Sequence, residues 1–324
     1  MAPDSEQHQL GSPEQPGEPP PASAQPEPSR RRRVLAASGT VVVAIGVVLG
    51  VTLAGGGSAG RGGNQADAGN VIQPPAASPV AHAAAVTAAS AGFRESQNIT
   101  ATIGSRAFHS ISTGAITEHP TTRAAMTFVS AGQTERAIYI TPYAYVHSLT
   151  AATAGTSPGA WLRIDLRAFV HALGFGSLSA GSGDPTQYLS FLRAAGGVTR
   201  VGRATIRGIE TTHYRALADL KRYAAVAPSS QRASASKSAA LLQRVSGSST
   251  LPMQAWVDAQ GRVRRILIQE RLCSSEGAIH ESISTDFFDY GAQPKISPPP
   301  AGEVQDVTSQ VASQEASAVK RLGC

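Results

Sequence analysis

From about position 99 onward, apolar and polar residues alternate in short blocks, each closed by Gly, Pro or Thr-rich punctuation. Ile99–Ile103, Ala107–Ile116, Ala124–Ser130, Thr134–Ile140 and Tyr143–Ser148 read as strands on that basis. Met126 and Phe128 share one face; Arg136, Ile138 and Ile140 share another; Ile279, Ile283 and Phe287 share a third. Such spacing predicts consecutive antiparallel strands joined by hairpins. The clearest hairpin runs from Trp256 to Arg265 and turns over Asp258–Gly261. Helical spacing appears over Val80–Phe93, on a weak face of small residues. It returns over Leu166–Leu173, over Pro185–Ala195 with Asp184 as N-cap, over Leu217–Ala225 and over Ser234–Val245. Strands resume at Leu251–Val257, Val263–Leu272 and Gly277–Tyr290. An antiparallel sheet with helices inserted between its strands is an α+β layout, with one face covered by the helices.

The chain before Phe93 has a different character, for it contains no Phe, Trp or Tyr. Residues 1–33 begin as a Pro, Glu, Gln, Ser and Gly tract that cannot bury enough to offset ordering, and they read as a disordered cytoplasmic tail. Arg30 to Arg33 close that tail and abut Val34–Leu53, an uncharged apolar stretch about as long as a helix needs to cross the hydrocarbon. The basic cluster on its N-terminal side sets the tail inside and Ala54 onward outside. Residues 54–79 then read as a flexible linker, 80–300 as a folded domain and 301–324 as a C-terminal extension. A competing reading takes Ser29-Arg30-Arg31 as the start of a twin-arginine export signal, cleaved at Ala66-Asp67-Ala68. The apolar run is long for a signal core, and that cleavage point lies well past its end, so the uncleaved anchor is preferred.

Charge adds to the picture only through its placement. The 324-residue chain carries +6, and four of its arginines are the run at Arg30–Arg33. From Ala54 the excess of basic residues suits anionic lipid or wall polymers, and an extracytoplasmic domain meets no nucleic acid. Arginine outnumbers lysine 24 to 4, which together with the Ala and Gly content points to a high-GC actinobacterial source.

The polar residues form no catalytic motif. There is no G-x-S-x-G, H-E-x-x-H, C-x-x-C or Walker pattern, and the eight histidines are scattered singly. Neither an enzyme, a metal site nor a cofactor is expected. Asp286 and Asp289 are three apart on a strand, face opposite ways, and read as turn or capping residues. Trp161, near Asp165, reads as core. Cys273 and Cys324 are too few for a disulfide scaffold, yet outside the cytosol they are free to pair if the C-terminal segment, with Val304, Val307 and Val311, folds back on the domain.

One set of residues goes beyond periodicity. Gly202, then Gly208-Ile209-Glu210-Thr211-Thr212-His213-Tyr214, Ala218-Asp219-Leu220, the run Leu251 to Asp258 and Gly261 to Arg265 follow one another in order. With Asp184-Pro185 leading to Leu189 and Leu192, and Asp289-Tyr290-Gly291 before Pro298–Pro300, this order resembles the actinobacterial LppX/LprG-type envelope lipoproteins, relatives in fold of the LolA lipoprotein carriers. The resemblance spans roughly Ala81 to Thr308. It implies a curved antiparallel half-barrel, its concave face covered by helices around an apolar cavity that binds lipid, glycolipid or lipoprotein acyl chains. Phe169, Val170, Leu173, Leu189, Leu192, Tyr214 and Met253 are the expected cavity lining, and Arg264 and Arg265, on opposite faces, the candidate headgroup contacts. The family's lipobox cysteine is missing, since no Cys precedes Cys273, so the helix at Val34–Leu53 takes over the anchoring. An envelope transport or signalling partner follows as an expectation. Two other uses remain open: a sensor reporting through the membrane helix, and a structural envelope protein.

Overall fold

The computed structural model describes residues 78–117, 121–148, 159–172, 187–227, 232–274 and 277–319. The expected tail, the membrane helix Val34–Leu53 and nearly all of the linker lie outside these residues, as do Asp184, Pro185 and Leu173. Among the described residues no helix is long and apolar enough to cross a membrane.

The chain begins with α1 (Pro79–Ala88), followed by β1 (Gly92–Ile103), β2 (Arg106–Thr117), β3 (Arg123–Ser130), β4 (Gln133–Ile140), β5 (Tyr143–Ser148) and β6 (Trp161–Asp165). Then come α2 (Leu166–Ala172), α3 (Gln187–Arg193), β7 (Ala195–Ile206), β8 (Ile209–Asp219), α4 (Leu220–Val226) and α5 (Arg232–Ser246). The last elements are β9 (Thr250–Asp258), β10 (Val263–Ser274), β11 (Gly277–Phe288), a short β12 (Val304–Asp306) and α6 (Thr308–Val319). The twelve strands among the described residues belong to one sheet, in the order β12-β6-β5-β4-β3-β2-β1-β11-β10-β9-β8-β7. Neighbours are antiparallel except β12, which pairs parallel to β6. The predicted α+β class holds as a large open antiparallel sheet with a few helices.

Local chemistry explains several boundaries. Ser78 caps α1 by accepting from the Ala81 amide at 3.1 Å, with Pro79 in the first turn. The helix expected over Val80–Phe93 stops at Ala88, and Phe93 is an inward residue of β1. Its Ala-rich face offers little to bury, whereas Gly92–Ile99 gains ladder bonds on both sides, from β2 and β11. Asp219 accepts from the amides of Lys221 (2.8 Å) and Arg222 (3.1 Å), so α4 starts at Leu220 rather than at the expected Leu217, which is a β8 residue. In the same way Ala195 opens β7 instead of ending a helix. Between β7 and β8 the two-residue loop Arg207-Gly208 has both φ values positive (47° and 79°), the geometry that matches a hairpin's right-handed twist.

Cross-strand partners share a face, so register links the strands into rows. One row runs Tyr214, Ala255, Ile266, Thr285, Gln97, Ser112, Phe128 and Glu135, from β8 across to β4. This face, the inner one, carries most of the core. Helices cover it at the β7–β10 end: α1 touches β7, β9, β10 and α3; α3 and α4 touch β8; α5 packs on α4 and β10. Phe191 of α3 meets Tyr223 of α4 with ring centroids 4.7 Å apart. At the other end, α2 and α6 pack together against β6. The described part of the C-terminal extension, through Val307 and Val311, therefore lies back on the domain, and Cys273 is disulfide-bonded.

Candidate functional site

Helices and inner sheet face bring several expected lining residues into one continuous core. Leu189 and Leu192 of α3 are 1% and 0% exposed, Met253 of β9 is 2% exposed, and Phe169 of α2 is as deeply buried. Tyr214 is half-buried and packs against the same core from the inner face of β8. Of Val170 the structure describes only the backbone, within α2, and Leu173 lies outside the described residues.

Arg264 and Arg265 are not brought together with these residues. A β-bulge between Val263 and Arg265 makes Arg264 the extra residue of β10, opposite no partner on β9. Its guanidinium bonds Asp258 at 2.7 Å and lies over the Tyr290 ring. Arg265 sits on the outer face, held by Asp286 at 2.5 Å and stacked near Trp256. Asp286 also binds Arg207 at 3.1 Å, so this aspartate joins three strands' ends rather than capping a turn. The same outer face carries His213, parallel to the Trp256 ring at 4.3 Å and bonded to Gln254 at 2.9 Å. Trp161, expected in the core, is instead half-exposed on this side against His147, at 5.0 Å, because Leu162 and Ile164 take the inward positions of β6. Two open depressions also lie along the sheet. One, of about 490 Å³, runs over β1, β10 and β11 and has Glu270 and Glu281 among its lining residues; the other, of about 350 Å³, lies over β8, β9 and β10 and includes Arg215, Leu217, Pro252 and Met253.

The inner face also holds polar residues that hydrophobic periodicity does not reveal. Glu95, Gln97, Ser110, Ser112 and Glu135 are all at most 5% exposed. Gln97 donates to Thr285 at 3.1 Å. Glu270 and Glu281 stand directly opposite each other across β10 and β11. Burial, then the charge of Glu281, pushes the Glu270 carboxyl up to about 8, and burial raises that of Glu281 as well. Tyr188 of α3 is 3% exposed, and its phenol is pushed up by burial and then by the fields of Glu281, Glu270 and Glu95. Its hydroxyl lies by Gln97 without completing a hydrogen bond of good geometry. Among the described residues no three His, Cys, Asp or Glu side chains form a group that could hold a metal ion.

An open antiparallel sheet with helices on one face is thus the class this chain falls into. Solved structures similar to it include LprF from Mycobacterium bovis, 10% identical with a TM-score of 0.42, covering 69% of this chain and 96% of that one. Lipoprotein LppX from Mycobacterium tuberculosis is 12% identical with a TM-score of 0.42, covering 68% and 96%. A LolA superfamily protein from Nitrosomonas europaea is 8% identical with a TM-score of 0.27, covering 69% and 94%. None of the three is an enzyme by name. No family model and no curated protein matches the chain.

Proposed function

We propose that the chain is a membrane-anchored extracytoplasmic binding protein that holds lipid, glycolipid or lipoprotein acyl chains between its helix layer and its sheet. The observation that carries this reading is the one-sided arrangement: helices α1 and α3–α5 lay aliphatic and aromatic side chains on the inner face at one end of a twelve-stranded open sheet. Adjacent strands twist by roughly 20–25°, and open sheets beyond about ten strands curl. A curled sheet turns this face into a concave, mostly apolar trough. Phe169, Val170, Leu173, Leu189, Leu192, Tyr214 and Met253 are the proposed lining. The helix at Val34–Leu53 holds the domain at the outer side of the cytoplasmic membrane.

Leu192→Trp tests the reading, because Leu192 is fully buried and its replacement breaks no side-chain hydrogen bond. In a solid core, overpacking of this kind costs about 1–3 kcal/mol. A lipid-holding interior absorbs the ring with little loss of melting temperature while phospholipid or fatty-acid binding falls. Melting and binding are measured on the same variant, alongside mass spectrometry of lipids co-purified with the wild type. A folded wild type that binds no lipid of any class refutes the carrier reading and leaves the sensor or structural reading. Anchoring is tested separately. The full chain should stay in the membrane fraction through an alkaline wash, and release of a form starting near Gly69 shows a cleaved signal instead.

A further inference from the structure

We propose that Glu270 and Glu281, together with Tyr188, form a receptor for a primary ammonium group on an amphiphile held between helices and sheet. This rests on the binding function proposed above and specifies the polar end of its ligand.

The geometry is that of two carboxyls in register on the inner face, in the row that continues through Ala101 to Phe108 and borders the aliphatic row of Ile268, Ile283 and Ile99. Like charges directly opposite across a strand pair are destabilising. Among the described residues, the acidic fields that meet at Tyr188 are those of Glu281, Glu270 and Glu95, and the nearest basic residue on this face, Arg106 of β2, lies one row further on and is exposed. Lys237 and Arg244 of α5, and His82 of α1, belong to helices that also touch β10, but all three are exposed to solvent. The Glu270 carboxyl bonds Glu281 across the strand pair, but its buried Oε2 completes no hydrogen bond of good geometry, and neither does the buried Tyr188 hydroxyl beside Gln97. Hydrocarbon would leave these oxygens bare, at the full cost of their desolvation. An anionic headgroup would add a further like charge. A primary ammonium supplies three donors on a compact positive centre, matching one oxygen from each carboxyl and the phenol. With its pKa raised to about 8, the Glu270 carboxyl keeps its proton at neutral pH. The arriving cation displaces that proton to solvent and leaves both carboxyls ionised against the ammonium.

The experiment uses the full chain in phosphatidylcholine nanodiscs, with empty nanodiscs as the blank. Octylammonium, octyl glucoside and octyl sulfate are titrated calorimetrically at pH 7 in two buffers of different protonation enthalpy. Octylammonium should bind about tenfold or more tightly than octyl glucoside, the margin of a charge-assisted over a neutral hydrogen bond set, and octyl sulfate more weakly than both. Close to one proton should be released per octylammonium and none with the glucoside. Octylammonium affinity should fall from pH 8 to pH 6, as the proton competes. Glu270→Gln/Glu281→Gln should lose the ammonium preference, with its melting curve confirming a folded chain. The single variant Glu270→Gln should keep part of the ammonium preference through Glu281 but release fewer protons, since the carboxyl that holds the proton is gone. Equal affinities for the three headgroups, or an ammonium preference that survives the double substitution, overturns the receptor and leaves the acyl-chain reading standing. If the wild type binds none of the three, the acyl-chain reading itself fails and the receptor with it.

Discussion

Removing the Asp258 carboxylate should unfold the β9–β10 end of the sheet more readily than any surface charge deletion. Its side chain is fully buried. Oδ1 accepts from the Gln260 amide at 3.0 Å and the Arg262 amide at 2.9 Å, which shapes the turn, while Oδ2 takes Arg262 Nε at 3.0 Å and Arg264 Nε at 2.7 Å. Arg264 is only 11% exposed, so Asp258→Ala strands its charge. Breaking a buried pair costs about 3–5 kcal/mol. Two features reduce this: Arg262, at 28% exposure, can rehydrate, and Arg264 keeps the Tyr290 ring, 4.9 Å away. A loss of about 3 kcal/mol results, which with an m-value of roughly 2–3 kcal/mol/M lowers the urea midpoint by about 1 M or more. Tryptophan fluorescence reads it directly, since Trp256 lies two residues away. Burial alone would raise the Asp258 carboxyl, but the hydrogen bonds from the Arg262 amide, Arg264 and Arg262 outweigh it and hold the group below the usual aspartate range. A depressed carboxyl stabilises above its unfolded pKa, near 3.9, and loses that contribution as pH falls through the folded value. The gap between wild type and Asp258→Ala should therefore be constant from pH 5 to 8 and close below about pH 4. Adding Arg264→Leu should recover part of the loss by removing the stranded charge. A gap under about 1 kcal/mol at pH 7, or a double variant that is weaker by the sum of both losses, refutes the reasoning.

Gly114→Ala should cost roughly 2 kcal/mol or more in urea unfolding, because a Cβ there collides with Met126 Sδ and with the rigid Ala125 carbonyl of the neighbouring strand; a neutral result contradicts the β2–β3 register. Glu270 has its folded pKa raised to about 8, so its contribution is fully present below the unfolded value near 4.3 and is lost as pH rises toward 8. Glu270→Gln should accordingly flatten the decline in melting temperature between pH 5 and pH 8, and a parallel decline in both proteins removes the assignment. Tyr290→Phe should cost about 1 kcal/mol, since the buried phenol donates to the Val263 carbonyl, and it should leave the pH profile of Asp258 unchanged. In denaturant without reductant the chain should show no free thiol, given that Cys273 is disulfide-bonded; two thiols per chain disprove the pairing.

The strands most legible in the sequence were those whose inward positions are apolar. Ala124–Ser130 and Thr134–Ile140 match β3 and β4 to within a residue; Met126 and Phe128 mark the inner face of β3, whereas in β4 the face of Arg136, Ile138 and Ile140 points outward and Ala137 and Tyr139 point in. The first half of β1 was read as helix end and connection because two of its inward positions are Glu95 and Gln97, which periodicity counts as surface. β7 was missed for another reason. As an edge strand with Gly196, Gly197 and Gly202 alongside Arg200 and Arg203, it shows no alternation to find. The carboxyl pair was missed because neither glutamate is unusual alone. The signal was nonetheless present: counting back from Ser274 and forward from Gly277, its register partner, sets Glu270 opposite Glu281.

The strand order has a kinetic consequence. β1 is a central strand, but its second partner is β11, and Gln97 and Thr285, bonded across that seam, are 188 residues apart in the chain. While the polypeptide emerges from its N-terminus, β1–β5 can form a meander early, but one side of β1 stays an open row of amides and carbonyls until nearly the whole domain has followed. Contacts of such high sequence separation slow folding, and an uncovered edge invites pairing with another chain. A polypeptide ending before Gly277 carries that open edge permanently, so truncations there should form intermolecular β-aggregates rather than a smaller folded unit.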